Sequence, residues 1–374
     1  VADAPKVALV HDWLVSRGGA ERVLDVLHEM WPDAPIYTAA YTPEKFPEFA
    51  HADIRTTWLD KISLAKRKHQ LFSIPRAWAF RGLDLSEYDI VISSCSAESK
   101  YVRTGPNTLH ICYCYTPIRY YWSDYDWYRQ HPPFGALNPI AKFILPALIG
   151  YLRRQDYAMA QKVNVYLTQS KNIQAKIKKY YNRDSTVIHP PTDTSQYLKL
   201  KKNQGDFYLI VGRQVAYKRL DLAVDAFNEL GLPLVVAGTG EEIAVQRSRA
   251  KANIDFRGFV SDDELLQLYA DAKAVLYPQD EDYGLVPVEA QAAGTPMIAL
   301  NRGGAAETVI DGETGVLFDE QSAKALVAAV KRFQTLTFDP AKLREHAKKF
   351  DVAVFERQLR EFVDSAYVKF TTKH

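Results

Sequence analysis

Two glutamates, Glu281 and Glu289, stand eight positions apart in the run YPQDEDYGLVPVEAQAAGTP. The first falls where a strand pattern ends in a loop, and the second in the opening of a predicted helix. A carboxylate accepts paired hydrogen bonds from vicinal hydroxyls, so two of them at fixed separation can grip two sugar rings. Between them lie Gly284, Leu285 and Val286, whose backbone N–H groups lead into that helix. Upstream, Gly212-Arg213 ends another strand pattern and Lys218 follows five residues later. Arginine forks onto a diphosphate and lysine adds a compact charge. Such a pair can neutralise the charge that develops on a departing phosphate, a task otherwise given to a metal ion. No metal site is expected.

Gly18-Gly19 sits between the first strand pattern and the first helical one. Glycines there let backbone N–H groups approach a phosphate and the helix N-terminus adds a favourable dipole, although Gly-Gly is also an ordinary turn. Gly238-x-Gly240 is similar in kind but lacks the third glycine and downstream acid of a dinucleotide fingerprint, which argues against a nicotinamide enzyme. Arg257-Gly258-Phe259-Val260 ends a further strand pattern. His11, beside Asp12, closes the first strand and is a candidate for a cleft. Tyr115 and Arg119 share the run LHICYCYTPIRYYWSD with His110, which reads as a core histidine at the other end of its strand.

These runs, together with HDWLVSRGGAERVL, VGRQVAYKRLDLAVDAF and NRGGAAETVIDGETGVLF, resemble the retaining family 4 glycosyltransferases of the GT-B fold over most of the chain. HDWLVSRGGAERVL and NRGGAAETVIDGETGVLF also resemble the subgroup that contains bacterial mannosyltransferases of surface-polysaccharide assembly. The resemblance implies a nucleotide-sugar donor, GDP-mannose first and a UDP-sugar second, with no further cofactor, and a polyprenyl-diphosphate-linked saccharide as acceptor. Glu281 would then bind hydroxyls of the transferred sugar and Glu289 those of the ribose. Gly284, Leu285 and Val286 would offer amides near the sugar and phosphate. Gly212, Arg213 and Lys218 would hold the diphosphate. Gly18 and Gly19 would touch that phosphate or lie over the acceptor, Gly238 would add a weaker phosphate contact, and Gly258 and Val260 would meet the nucleobase. His11 and Arg119 would face the acceptor.

The chain departs from the family at Tyr115, where relatives commonly carry His before Thr-Pro. An imidazole can polarise a sugar near neutral pH, whereas a phenol donates a hydrogen bond but is a poor base. Tyr115 is therefore a catalytic candidate with an altered role. Alternative readings are an epimerase or phosphorylase of the same fold, or a nucleotide-binding partner subunit without activity.

The elements that must position these residues are short continuous apolar strands alternating with helices, the pattern of parallel sheets covered on both faces. KVALVHDWL, IYTAAY, YDIVISSCS, LHICYCY, VNVYLTQS and TVIHPPTD form the first half. FYLIVGRQ, LPLVVAGTG, IDFRGFV, AVLYPQ and TPMIALN form the second. The expected architecture is α/β, two doubly wound Rossmann-like domains facing a central cleft, with ligands beyond the carboxyl ends of the strands. Residues 1–193 form the first, acceptor-binding domain. A polar, lysine-rich linker covers 194–205, and 206–349 form the donor-binding domain. By resemblance, a final helix over 350–374 crosses back to the first domain.

A length of 374 residues accommodates two cores, and a net charge of +2 excludes no partner by itself. Cys95, Cys112 and Cys114 lack zinc-type spacing and read as reduced core residues of a cytoplasmic protein. No secretory or membrane-spanning pattern is expected: Ala136 to Leu152 is interrupted by Pro139, Lys142 and Pro146. Residues 58–82 interleave Lys61, Lys66, Arg67, Lys68, Arg76 and Arg81 with Trp58, Leu71, Phe72, Ile74, Trp78 and Phe80. That mixture suits an anionic membrane surface. Nothing resembles a nucleic-acid module.

Overall fold

The structure, a computed structural model, describes residues 4–67, 72–130, 138–203 and 205–372. The chain divides into two compact units, one of residues 1–189 with 356–374 and one of residues 190–355.

The first unit is built on seven strands: β1 (Val7–His11), β2 (Ile36–Thr38), β3 (Ile54–Thr56), β4 (Ile90–Cys95), β5 (Leu109–Cys114), β6 (Val165–Thr168) and β7 (Ser185–Val187). They lie in the order β3-β2-β1-β4-β5-β6-β7, and every neighbouring pair is parallel. β1, β4 and β5 are buried along their whole length, as continuous apolar strands under helices on both faces must be. The chain winds outward from β1 to β3 and then returns to the other side of β1 as β4. The reversal opens a crevice at the carboxyl ends of β1 and β4, where His11 is paired in register with Ser94. β3 has no buried residue and too little apolar signal to be read from sequence.

Polar residues hold the carboxyl end of this sheet. The buried Asp12 carboxylate accepts from the amides of Ser96 (2.6 Å), Ala97 (2.9 Å) and Ser99 (2.8 Å), fixing the loop after β4. On that loop the buried Lys100 pairs with Asp156 at 2.8 Å, and Asp156 also accepts from Tyr101, Trp122 and Tyr181. Glu98, fully buried, pairs with Arg76 at 2.5 Å. Arg76 is thereby removed from the basic face expected over 58–82. Leu59 and Phe80 of the same segment are core, and Lys66 is tied to Asp60 and the Tyr41 carbonyl. Lys68 and Leu71 lie outside the described residues. Trp58, Leu64 and Trp78 do face solvent, at 50, 52 and 64% exposure.

The second unit contains β8 (Tyr208–Val211), β9 (Leu234–Ala237), β10 (Ile254–Gly258), β11 (Ala274–Tyr277), β12 (Met297–Leu300) and β13 (Gly315–Phe318), in the order β10-β9-β8-β11-β12-β13. All neighbours are parallel, so a second reversal lies between β8 and β11. Strand residues alternate between two cores. Tyr208, Ile210, Leu276, Ile298 and Val316 pack under the helices Leu220–Leu230 and Ala323–Phe333, whereas Leu209, Val235, Val275 and Met297 face the other side. The first helix delivers Leu220, Ala223, Val224 and Phe227, and the second Leu326, Val327, Val330 and Phe333. Both show the helical spacing of a single buried face.

The expected division is corrected at the linker. Residues 194–205 belong to the second unit: Tyr197 is buried, the Leu200 carbonyl accepts from Arg344 at 2.6 Å, and Lys202 donates to the carbonyl of Ala270 at 2.8 Å. The Lys202 ammonium caps the C-terminal end of the helix Asp262–Asp271, and burial holds its pKa down to about 8. A polar lysine-rich composition hid a capping role. The boundaries fall instead at 189/190 and 355/356, within the expected first-domain end and within the last helix, Val352–Thr371. On the first unit, Arg360 of that helix lies 5.9 Å from the Trp31 ring centroid.

The three cysteines are free and buried. His110 is buried in the first unit with Nε2 3.0 Å from Ser93 Oγ, and burial holds its pKa down to about 4. In the unfolded chain this group titrates near 6.5. Below that value the unfolded state takes up a proton that the folded state refuses. Stability is therefore complete above pH 6.5 and falls as pH drops toward 4, by about 3 kcal/mol in all. Urea unfolding followed between pH 7 and pH 4 is expected to show this limb, and His110→Gln is expected to flatten it.

Candidate functional site

In the second unit the site residues sit beyond the carboxyl ends of β8, β9, β10 and β11. Gly212 follows β8 at φ +119° and Gly238 follows β9 at φ +124°. A Cβ on Gly238 would overlap the Gly212 carbonyl oxygen, so these glycines let two strand ends touch. Their amides are already engaged, Gly212 N–H with Ala237 (3.0 Å) and Gly238 N–H with Gly258 (2.7 Å). Neither amide is free in this structure, and the two glycines serve the close packing of the strand ends. Gly258, at φ +72°, receives that bond, and Val260 packs against the core while its neighbour Phe259 is 85% exposed.

Lys218 closes the short turn Ala216–Lys218, and its Nζ lies 3.8 Å from Glu281 Oε1. Tyr217 donates to the same oxygen at 3.4 Å, Gln279 donates to Oε2 at 3.3 Å, and the Tyr277 hydroxyl donates to Oε2 as well. Burial at the end of β11, and then the Glu281 charge, push the Tyr277 phenol far above its usual range, so it stays a donor. Glu281 is thus aimed by three hydrogen-bond donors and one nearby ammonium while its side chain remains 21% exposed. Gly284, at φ +78°, turns the chain beneath the Tyr277 hydroxyl, where a Cβ would not fit. The amides of Gly284, Leu285 and Val286 make no hydrogen bond among the described residues. Arg213 is exposed and has no hydrogen-bond or ion-pair partner among them. Arg219 pairs with Asp221 at 2.9 Å and is set apart from this group. Glu289, in the first turn of the helix Val286–Ala292, is buried and accepts from Tyr269 at 2.9 Å.

In the first unit four side chains form a row. Glu21 Oε1 lies 3.4 Å from His11 Nε2, His11 Nδ1 lies 2.9 Å from Ser94 Oγ, and Ser94 Oγ lies 2.8 Å from the Tyr115 hydroxyl. That hydroxyl is also 3.1 Å from the Ala20 carbonyl. One phenolic proton cannot serve both. If it goes to Ser94, then Ser94 donates to His11 Nδ1 and a neutral imidazole donates from Nε2 to Glu21. If it goes to Ala20, Ser94 donates to Tyr115 and His11 donates from Nδ1 to Ser94. Tyr115 is buried, and burial raises its pKa well above the phenol range. Its hydroxyl ties the end of β5 to the start of the helix Gly19–Met30. The Glu21 carboxylate stands in the first turn of that helix, 3.1 Å from where a Gly18 Cβ would be, and supplies negative charge at the place a phosphate would dock. Gly18, Gly19 and Arg119 are exposed.

Sequence reasoning missed Tyr217, Tyr277 and Gln279 around Glu281, and Glu21 and Ser94 beside His11. Tyr217 and Glu21 lie inside motif runs and were within reach; Ser94 acquires its place only through the β1–β4 register.

Each unit has the doubly wound layout of the GT-B class. The family described as glycosyl transferases group 1 matches residues 193–350, less than half of the chain. The chain is 29% identical over 213 residues to a glycogen synthase of Thermodesulfovibrio yellowstonii, covering 54% of this chain and 41% of the relative. It is 28% identical over 200 residues to the O-antigen chain mannosyltransferase RfbU of Salmonella typhimurium, covering 50% of this chain and 55% of the relative. It thus spans about half the length of these curated relatives. The fold is shared with Anabaena Alr3699/HepE, solved in complex with UDP and glucose, at a TM-score of 0.69 and 19% identity over 97% of this chain and 100% of that one.

Tyr115→Phe removes the hydroxyl that Ser94 and Ala20 share and leaves the buried Ser94 hydroxyl one partner short. The expected cost is about 1–3 kcal/mol in urea unfolding. An unchanged midpoint would take the hydroxyl out of the frame.

Proposed function

We propose that this chain is a retaining glycosyltransferase that moves a sugar from a nucleotide-sugar donor, bound by the second unit, to a lipid-linked saccharide. The observation that carries the reading is the Glu281–Lys218 contact at the strand ends, with Arg213 in the same run making no ion pair or hydrogen bond among the described residues, inside the segment that matches the glycosyl transferases group 1 family.

The chemistry follows from these groups. Arg213 and Lys218 hold the β-phosphate of the leaving nucleoside diphosphate and neutralise its charge as the glycosidic bond lengthens. Without such compensation the phosphate oxygens carry that charge alone. Glu281 accepts from hydroxyls of the transferred sugar, and the amides of Gly284, Leu285 and Val286 donate to sugar and phosphate oxygens. Glu289 takes the ribose hydroxyls with the lone pairs that Tyr269 leaves. The acceptor hydroxyl attacks the anomeric carbon from the same face as the departing phosphate and passes its proton to that phosphate's oxygen, which accounts for retention without a covalent intermediate. His11 orients the acceptor, and the Ser94–Tyr115 row keeps its ring in place.

GDP-mannose is the first donor, supported by the similarity to RfbU. A UDP-sugar is the second, supported by the UDP and glucose bound by HepE. The acceptor is a polyprenyl-diphosphate-linked saccharide met at the cytoplasmic face of the membrane. The exposed Trp58, Leu64 and Trp78, with the exposed cations Lys61 and Arg67, support peripheral attachment. Among the described residues no helix is long and apolar enough to cross a membrane.

Calorimetric titration with GDP, UDP, GDP-mannose and UDP-glucose, without added metal, is expected to show binding of one nucleoside diphosphate and its sugar; binding of none would sink the reading. Glu281→Ala is expected to lower turnover at least about 100-fold, on the order of 3 kcal/mol. Near-normal turnover would remove Glu281 from the transition state. Lys218→Ala is expected to weaken nucleoside diphosphate binding, and an unchanged dissociation constant would take Lys218 out of the phosphate site.

A further inference from the structure

The first unit holds a second polar concavity, separate from the row at His11. A cavity of about 540 Å³ opens where the loops after β1, β2 and β3 meet, at the carboxyl edge of the sheet. Ser16 comes from the first loop, Thr42 and Lys45 from the second, and Ser63, Lys66 and Arg67 from the third. One acid, Asp60, joins them and is already held by Lys66 at 2.8 Å and by the Tyr41 amide at 2.7 Å. Three cations against one carboxylate leave the lining with a net charge of +2.

The donors are placed but not used up. Lys45 Nζ gives one proton to the Val15 carbonyl at 2.7 Å and keeps two. Arg67 is exposed, and neither it nor the hydroxyls of Ser16, Thr42 and Ser63 has a hydrogen-bond partner among the described residues. A surplus of positive charge and hydroxyl donors, with the only carboxylate neutralised, selects an anion of several oxygens. A guanidinium fork beside two ammonium groups matches phosphate. The volume exceeds a single phosphate and admits a diphosphate or a sugar phosphate.

We propose that this cavity is a phosphate-binding subsite of the first unit, taking the diphosphate of the acceptor. The assignment rests on the transferase reading for the identity of the acceptor, whereas the anion site stands on the lining alone. Lys45 and Lys66 anchor the charge, and Arg67 forks onto the outer oxygens. The saccharide is thereby held from the first unit while the second unit holds the donor.

The test is titration of the full chain with inorganic pyrophosphate and with a short-chain isoprenyl diphosphate. Arg67→Ala is expected to weaken both several-fold, and Lys45→Gln with Arg67→Ala at least about tenfold, with GDP and UDP affinity changed by less than about twofold. Arg67→Ala removes an exposed side chain with no partner among the described residues, so its unfolding midpoint should not move and the test survives if the double variant fails to fold. Unchanged binding of both diphosphates in Arg67→Ala overturns the subsite. Weaker association with phosphatidylglycerol vesicles, with soluble diphosphate binding intact, assigns the cavity to lipid headgroups and also overturns it. If diphosphate binding is lost as expected but the unaltered chain transfers no sugar from any nucleotide sugar, the subsite stands as an anion site and the transferase reading falls.

Discussion

A parallel sheet covered on both faces leaves polar chemistry one place to go. The faces must be apolar to pack, so charged groups collect at the carboxyl edge, where loops lead into helices. Both units obey this constraint. His11 and Ser94 stand there in the first, and Lys218, Tyr277 and Glu281 in the second. What differs is how the edge is stabilised. The second unit uses glycines at φ +119° and +124° to bring backbone against backbone. The first uses buried ions.

Those ions are an expensive way to hold a loop. Glu98 and Arg76 are both out of water, and burial pushes the Glu98 carboxyl up despite the guanidinium beside it. Removing one partner from such a pair strands the other and typically costs about 3–5 kcal/mol. Asp12, Lys100 and Asp156 extend the arrangement, so the loop after β4 is fixed from three sides. The return is geometric: Ser94, near the end of β4 just before that loop, cannot drift from His11 or Tyr115 without breaking contacts on residues far from it in sequence.

Much of this was legible in the chain. Apolar runs such as YDIVISSCS and AVLYPQ have no other good structure than buried parallel strands, and the helices Lys171–Tyr181 and Leu220–Leu230 each carry one apolar face at helical spacing, the first capped by Ser170. Glu281 and Lys218 were legible because their motif fixes types and intervals. β3 and β13 were not, being three and four residues long with weak flanking signals. The burial of Tyr115 was not legible for a different reason. A polar residue at a strand end is as able to point inward as outward, and only the position of Ala20 decides. Arg76 was misread by the same ambiguity, since its partner Glu98 lies 22 positions away.

The contact between Lys218 and Glu281 has a consequence for what the second unit can admit. At 3.8 Å each charge serves as a provisional counterion for the other. An anion that takes the ammonium releases the carboxylate, which must then find hydroxyl donors in place of the cation. A neutral sugar alone would have to compete with Lys218 for Glu281, and a bare phosphate would draw Lys218 away and leave Glu281 undercompensated. Only a molecule bearing both an anion and hydroxyls, at the right separation, replaces the two halves of the pair at once. For the donor site proposed above, the ion pair itself would discriminate against fragments of the ligand.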